Sequence, residues 1–351
     1  MKNKYSLILI LILTFTTSSL AQNFISDVSK KGTTAAPFLS IAQGARATSM
    51  GSAFVGVSDD PSAIYWNPSG LAKLSGTQVA FDHTTWIADI EYNFVAAAYS
   101  IGDYGTLGFS FTSSNIGEMR VTTIEQPNGT GETFSATDVA VTLAYAINLT
   151  DNFAIGFAPK FISQSIWKMN ATAIAMDLGV QYRTPFAGTI LAMSISNFGS
   201  KMQLSGNSNL IQHDLDPVNG GNNAYIPAYL QTDQWSLPLT FRVGLAYTAN
   251  FNENHKLNVA LDALHPSDNY ESVNVGAEYW LYDFVALRGG LNSLFLDGAE
   301  SSSEKYDMGT FTLGFGVKRQ FVGNLGLRFD YAYQDFGRLT NIQKFTVGIT
   351  F

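Results

Sequence analysis

The 351 residues include no cysteine. This excludes a disulfide framework, a thiolate metal site and an acylated lipobox cysteine. Charge is scarce too: Asp, Glu, Lys and Arg make up 14%, against roughly 25% in an average soluble domain. The 20 basic residues are outnumbered by 28 acidic ones, and no basic stripe is present, which argues against a nucleic-acid partner. A helix that spans a bilayer needs about 20 apolar residues. The longest apolar run, Leu7 to Leu13, falls far short of that and excludes a polytopic helical membrane protein. Hydrophobic residues still reach 46% and aromatics 13%, too many for a disordered chain.

The N-terminus has an export pattern. Lys2 and Lys4 precede the apolar run, which Phe15 extends, and Ser19-Leu20-Ala21 supplies small residues at a cleavage site. Residues 1–21 therefore read as a signal peptide, with the mature chain beginning near Gln22.

After residue 76 the sequence alternates with period two, the signature of strands. In Leu239 to Thr248, the large residues Leu239, Phe241, Val243, Leu245 and Tyr247 alternate with Thr240, Arg242, Gly244, Ala246 and Thr248. The same pattern predicts fourteen strands of about 9–12 residues. They are placed near 77–86, 91–101, 105–114, 136–147, 153–163, 172–183, 189–198, 238–249, 256–264, 270–281, 284–294, 309–319, 325–335 and 342–351. Such lengths suit tilted membrane crossings, since soluble strands average about 5–6 residues. Every second connection is short, whereas the long ones (115–135, 199–237 and 295–308) all fall on the other end. Outer-membrane barrels show this rhythm, with tight periplasmic turns and long external loops. Aromatics crowd the short turns: Tyr99, Tyr104, Tyr145, Phe153, Tyr182, Phe186, Tyr247, Phe251, Trp280, Tyr282, Phe284 and Phe321. They read as an interfacial belt.

Parity places Asp138, Lys160, Asp177, Arg242, Asp262, Glu278, Arg288, Lys318, Arg328, Asp330 and Lys344 on one face, while the opposite face carries essentially no charge. A Lys or Arg facing lipid at the midplane costs roughly 2–4 kcal/mol, so the charged face is the lumen. Mixed signs argue against an ion-selective pore and for pairing, with Arg46, Asp59 and Asp60 as partners. Pro159 and Gly108 lie within strands, where they either interrupt a ladder or relieve curvature. The 199–237 loop holds Tyr225, Ile226, Tyr229, Leu230 and Trp235, apolar material for protein docking or for packing over the barrel mouth. The four histidines, His83, His213, His255 and His265, give weak catalytic signals, even with Asp262 and Asp268 near His265. We expect no enzyme, no cofactor and no metal.

Residues 22–76 break the alternation. Asp59-Asp60-Pro61 offers an N-cap for a short helix through Ala63 and Tyr65, which Asn67-Pro68 stops. A fourteen-strand lumen is too wide for wall side chains to fill, so this segment is expected to lie inside it.

The stretch from Gly44 to Ala72 resembles the N-terminal hatch of the PorV/PorQ family, a branch of the FadL-like transporters. The motif residues are Arg46, Met50, Gly51, Asp59, Asp60, Asn67 and Pro68, although Ser69 stands where Ala usually follows the Asn-Pro pair. Leu237 to Gly244, Asp262 to Asn269, Val275 to Trp280 and Leu287 to Gly290 fit as well. The final strand, with Phe345 and terminal Phe351, resembles the assembly signal of outer-membrane barrels. The resemblance implies an all-β protein: a 14-stranded antiparallel transmembrane barrel (77–351) in the outer membrane of a Gram-negative bacterium, its lumen plugged by a hatch (22–76). It implies outer-membrane lipid and the barrel assembly machinery as partners. Two functions follow from it, reception of secreted proteins with C-terminal signal domains in type IX secretion, or passage of hydrophobic small molecules.

Overall fold

The computed structural model describes residues 30–216, 218, 225–252, 254–294, 310–321, 325–337, 339 and 341–351. The segment read as a signal peptide and the 295–308 connection lie outside them. The first seven barrel strands are β1 (Thr77–Thr85), β2 (Glu91–Ser100), β3 (Thr106–Arg120), β4 (Thr133–Thr150), β5 (Phe153–Ile166), β6 (Met169–Arg183) and β7 (Thr189–Gly199). After a long connection come β8 (Thr240–Asn252), β9 (His255–Pro266), β10 (Ser272–Leu281), β11 (Val285–Leu294), β12 (Phe311–Gln320), β13 (Gly326–Gln334) and β14 (Ile342–Thr350).

Each strand pairs antiparallel with its chain neighbours, and β1 closes onto β14 through Gln78↔Thr350 to Thr85↔Gln343. The fourteen strands form a closed barrel, so none is left as an open sheet edge, the arrangement that lets ladder groups pair without water. A two-residue strand, Ser205–Gly206, adds only a short ladder to the start of β6.

The alternation becomes an inside-out distribution. Phe81, Phe109, Leu143, Phe161, Leu191, Leu245, Leu261, Leu287, Phe315, Phe329 and Phe345 all point outward and are exposed on the bare barrel. Asp82, Ser110, Lys160, Asp177, Arg242, Asp262, Glu278, Arg288, Asp330 and Lys344 are buried. Lipid covers the first set and the interior holds the second.

Two features depart from the sequence-based expectation. β3 and β4 continue to Arg120 and from Thr133, well past the anticipated 114 and 136, with a register shift between Ile116 and Met119. The apolar pattern fades where the wall leaves the bilayer, but ladder hydrogen bonding does not depend on it. Trp280 also leaves the anticipated aromatic belt. Tyr99, Tyr104, Tyr182, Phe186, Tyr247, Phe251, Tyr282, Phe284 and Phe321 are exposed around the short turns, whereas Trp280 is buried in the lumen. It shares the inward parity of Glu278, and the Arg288 guanidinium and Lys318 ammonium each lie 5.6 Å from its ring.

Leu245 lies mid-strand on the outer face. Leu245→Arg should destabilise the folded barrel by roughly 2–4 kcal/mol, read from urea titrations in lipid vesicles. The neighbouring inward substitution Ala246→Ser should cost far less.

Candidate functional site

The N-terminal segment runs through the lumen from the long-loop mouth to the short-turn end. At the first end the Ala35 N–H donates to the Ser236 carbonyl (2.8 Å) and the Thr34 hydroxyl to Asp268 (2.8 Å). At the other end the Asn148 amide donates to the Ala72 carbonyl (3.0 Å), and the chain enters β1. Between them lie two short α-helices, Ala45–Ser49 and Ala63–Trp66, and a 3-10 helix, Pro68–Lys73. Asn67 does end the second helix, in extended conformation. Its N-cap, however, is Ser62. The anticipated cap Asp60 instead accepts the Ser62 N–H (3.0 Å) with one oxygen and faces arginines with the other.

So short a segment cannot satisfy its own backbone, and the wall supplies acceptors. Asp262 takes the N–H groups of Phe54 (2.7 Å) and Val55 (2.9 Å). Thr312 takes that of Gly51 (2.9 Å). At the closing seam, Asp82 on β1 accepts from Gly44 (3.2 Å), Thr346 on β14 accepts from Ala45 (2.7 Å), and the Thr346 hydroxyl donates to Asp82 (2.6 Å). The segment thereby ties the first strand to the last. Met50 and Gly51 press on the wall so closely that a Cβ on Gly276 or Gly290 would lie 2.1–2.2 Å from their backbone. Only glycine fits at such an approach. The Asn67 amide donates to the carbonyls of Val55 (3.2 Å) and Val180 (3.1 Å), and buried Pro68 starts the 3-10 turn.

At the centre, six charges alternate in a ring. Arg46 binds Glu278 through two nitrogens, both at 2.8 Å. Glu278 binds Arg288 (2.7 Å), Arg288 binds Asp330 (2.8 Å), and Asp330 binds Arg328 (2.7 Å). Arg328 reaches Asp60 (3.0 Å), and Asp60 returns to Arg46 (3.2 Å). Asp59 joins from the side through Arg46. Two of the six residues come from the N-terminal segment and four from β10, β11 and β13. β-pairing explains part of the geometry, since Glu278 and Arg288 are direct cross-strand partners. Burial opposes ionisation of Asp60, but Arg328 and Arg46 outweigh it and hold the carboxyl down at about 2.

The other anticipated lumen charges are placed separately. Asp177 pairs with Lys160 (2.7 Å) and accepts the Asn197 N–H (2.7 Å), which pins Asn197 at φ 64 beside a register shift between β6 and β7. Arg242 donates to the Ser196 hydroxyl (3.0 Å) and lies 5.7 Å from the rings of Tyr65 and Trp66. Lys344 donates to the Ala42 carbonyl, and Asp138 accepts from the Gln164 amide (2.9 Å). Lys318 stays outside the ring, half-exposed and paired with Asp283 (2.8 Å).

Gly108 keeps its ladder partners Ala98 and Ala144. It interrupts nothing; a Cβ there would lie 2.8 Å from Leu71 and 3.0 Å from Ile64. The wall glycines as contact points of the segment were missed from sequence, though their inward parity was readable. Asp262, His265 and Asp268, close in sequence, part in three directions: Asp262 to the backbone of Phe54 and Val55, His265 to exposed Glu271 (2.8 Å), and Asp268 to Thr34.

The long β7–β8 connection does two things. Its roots, Met202 and Leu237, are buried with Phe38, Leu39, Tyr92 and Ile162 and cover the lumen. Beyond them, Leu210–His213 pairs with Ile226–Tyr229 as a ribbon. Tyr225, Tyr229 and Trp235 are 69%, 63% and 47% exposed. At the other chain end, Phe345 and Phe351 face outward, and Phe351 donates its N–H to the Thr77 carbonyl (2.8 Å).

A closed fourteen-strand barrel, apolar outside and charged within, with its own N-terminal segment in the lumen, defines an outer-membrane barrel of the secretion or transport kind. The family model of the type IX secretion system protein PorV matches residues 25–265, and the chain belongs to that family. Among solved structures it is similar to the CymD monoaromatic hydrocarbon channel, with a TM-score of 0.56, 13% identity, and coverage of 89% of this chain and 98% of that one. The Pseudomonas putida toluene transporter TodX is also similar, at a TM-score of 0.51 and 12% identity, with 88% and 97% covered. Both share the FadL-like barrel fold. No protein of curated function matches the chain.

Arg46→Ala leaves Glu278 and Asp60 buried with one arginine each. It should lower stability by roughly 3–5 kcal/mol, measured by urea unfolding of the detergent-solubilised barrel. The Asp60 carboxyl titrates near 2 when folded and near 3.9 unfolded. Its depressed value makes its stabilisation complete above about pH 4 and lost as pH falls from there toward 2. The stability gap between the parent and Asp60→Asn should shrink across that window and stay constant from pH 5 to 7.

Proposed function

We propose that this protein serves type IX secretion as an outer-membrane barrel that receives secreted proteins carrying a C-terminal signal domain. The family match over residues 25–265 carries this reading. The exposed β7–β8 connection supports it: Tyr225 and Tyr229 at the ribbon and Trp235, paired across from Met202, are exposed aromatics at the long-loop end, and such residues anchor protein interfaces. In this reading residues 22–76 act as a hatch, the charge ring of Arg46, Asp60, Glu278, Arg288, Arg328 and Asp330 is its latch, and cargo docks outside the lumen without entering it. Phe345 and Phe351 serve recognition by the assembly machinery, and the signal peptide directs export.

Passage of hydrophobic small molecules is the second reading, favoured by the fold shared with CymD and TodX. It requires the hatch to move. The void beside Leu39, Gln43, Tyr65 and Tyr92 is about 20 Å3, room for roughly one water. The resting barrel is thus better suited to docking than to free diffusion.

Deletion of the gene should leave proteins with C-terminal signal domains in the periplasm. A copy with Tyr229→Ala and Trp235→Ala should restore a normally folded barrel but only a small part of their export. Unchanged export in the deletion strain would sink the secretion reading. For the channel reading, Arg46→Ala should raise single-channel conductance and antibiotic uptake severalfold, and unchanged values in a fully assembled barrel would count against a hatch held by this residue.

A further inference from the structure

A cavity of about 290 Å3 opens at the short-turn end, between the N-terminal segment and the wall. Ser75, Gln320 and the Asp283–Lys318 pair stand at its exposed mouth, and Arg46, Asp59, Arg328 and Trp280 line its interior. Small residues make the space: Ala80, Gly326 and Gly348 line it from β1, β13 and β14. A Cβ on Gly348 would fit in ordinary van der Waals contact with the Arg328 side chain (3.5 Å), and a longer side chain there would extend into the space.

Its charges sort themselves by partner. Arg46 and Arg328 are spent in the ring, and Lys318 is held by Asp283. Asp59, a seventh charge beside the ring, shares Arg46 with Glu278 and Asp60, and Lys73 acts on it from nearby. Lys256 is different. Its ammonium has no ion pair or hydrogen bond among the described residues, yet it lines the cavity and stands directly across the ladder from Trp280. Burial, reinforced by the positive charges of Arg183, Arg46 and Lys256, pushes the Lys73 ammonium down to about 8. An ammonium unpaired among the described residues, at the side of a half-enclosed space, attracts an anion, and low-dielectric walls focus that field.

We infer that this cavity is a binding site for a small carboxylate, with Lys256 as its charge partner. One uncompensated ammonium calls for a monoanion. Gln78 and Gln320 offer amides and Thr350 a hydroxyl for the remaining polar atoms, and the volume limits the ligand to a small organic acid or the last residues of a peptide. The mouth lies at the end where outer-membrane barrels keep their short periplasmic turns, so the ligand arrives from inside the cell envelope. The site is independent of the exposed ribbon and of any opening of the lumen.

Isothermal titration of the full mature barrel in detergent tests the inference, with lactate as a free acid, N-acetyl-diglycine as a peptide carboxylate, and N-acetyl-diglycinamide as the uncharged control. Lactate, N-acetyl-diglycine or both should bind at one site with a dissociation constant of about 1 mM or below, and N-acetyl-diglycinamide at least about tenfold more weakly. Which of the two binds decides between a free acid and a peptide end. Lys256→Gln should weaken binding about tenfold or more, and Gly348→Val should abolish it by filling the space. Both variants should keep the mobility shift of a folded barrel on unboiled gels. The inference is overturned if neither carboxylate binds up to about 10 mM, if N-acetyl-diglycinamide binds as tightly as either carboxylate, or if folded Lys256→Gln binds unchanged.

Discussion

Charge cannot face hydrocarbon, and the rest of this structure depends on that constraint. A bilayer around fourteen strands forces the charged side chains of the mid-wall inward. A lone charge in that interior would be as costly as one in lipid. The wall alone offers Glu278, Arg288, Arg328 and Asp330, two of each sign. Arg46 and Asp60 close the chain into a ring of alternating sign, in which each group faces two opposite charges. Buried ion pairs are weak sources of stability but strong sources of specificity when removal of one member strands another. The ring therefore fixes where the N-terminal segment sits more than it tightens the barrel.

The same constraint shapes the contact between segment and wall. A wide barrel leaves a lumen that side chains do not fill, and a segment of short helices brings unpaired backbone groups into it. Carboxylates and hydroxyls on the wall, Asp82, Asp262, Thr312 and Thr346, accept those N–H groups. Glycines at 276 and 290 admit the backbone itself. Because Asp82 and Thr346 belong to the first and last strands, the segment also spans the seam where the barrel closes. The two ends of the lumen then differ in character. Phe38, Leu39, Met202 and Leu237 pack an apolar cover at the long-loop mouth, while the short-turn end is open, polar and cationic at Lys256.

Much of the architecture was legible from the alternation. Large apolar residues at Phe241, Val243, Leu245 and Tyr247 stated both the strand and its outward face, and the odd–even loop rhythm stated the barrel's orientation. The pattern was weaker where lipid no longer enforced it. The β3–β4 hairpin beyond the membrane reads Asn115-Ile116-Gly117-Glu118-Met119-Arg120 and Thr133-Phe134-Ser135, with no period-two pattern to show its length. Trp280 was misplaced among interfacial aromatics because nearness to a turn was weighed above its inward parity. Parity puts the candidate charges on one face of the strands but carries no information on how they group. Asp262, His265 and Asp268 sit within seven residues of one another in sequence and serve unrelated partners, while Arg46 and Glu278 lie 232 positions apart and share two hydrogen bonds.

By itself, the sequence determined the strands, their number, the facing of each side chain and the exclusion of charge from lipid, because these follow from local period and solvent preference. Which charges meet, which glycines admit the N-terminal segment, and that Lys256 has no partner among the described residues came only with the folded barrel. Those outcomes depend on barrel closure and on the path of a segment through the lumen. Both join residues hundreds of positions apart, and no local pattern encodes such a meeting.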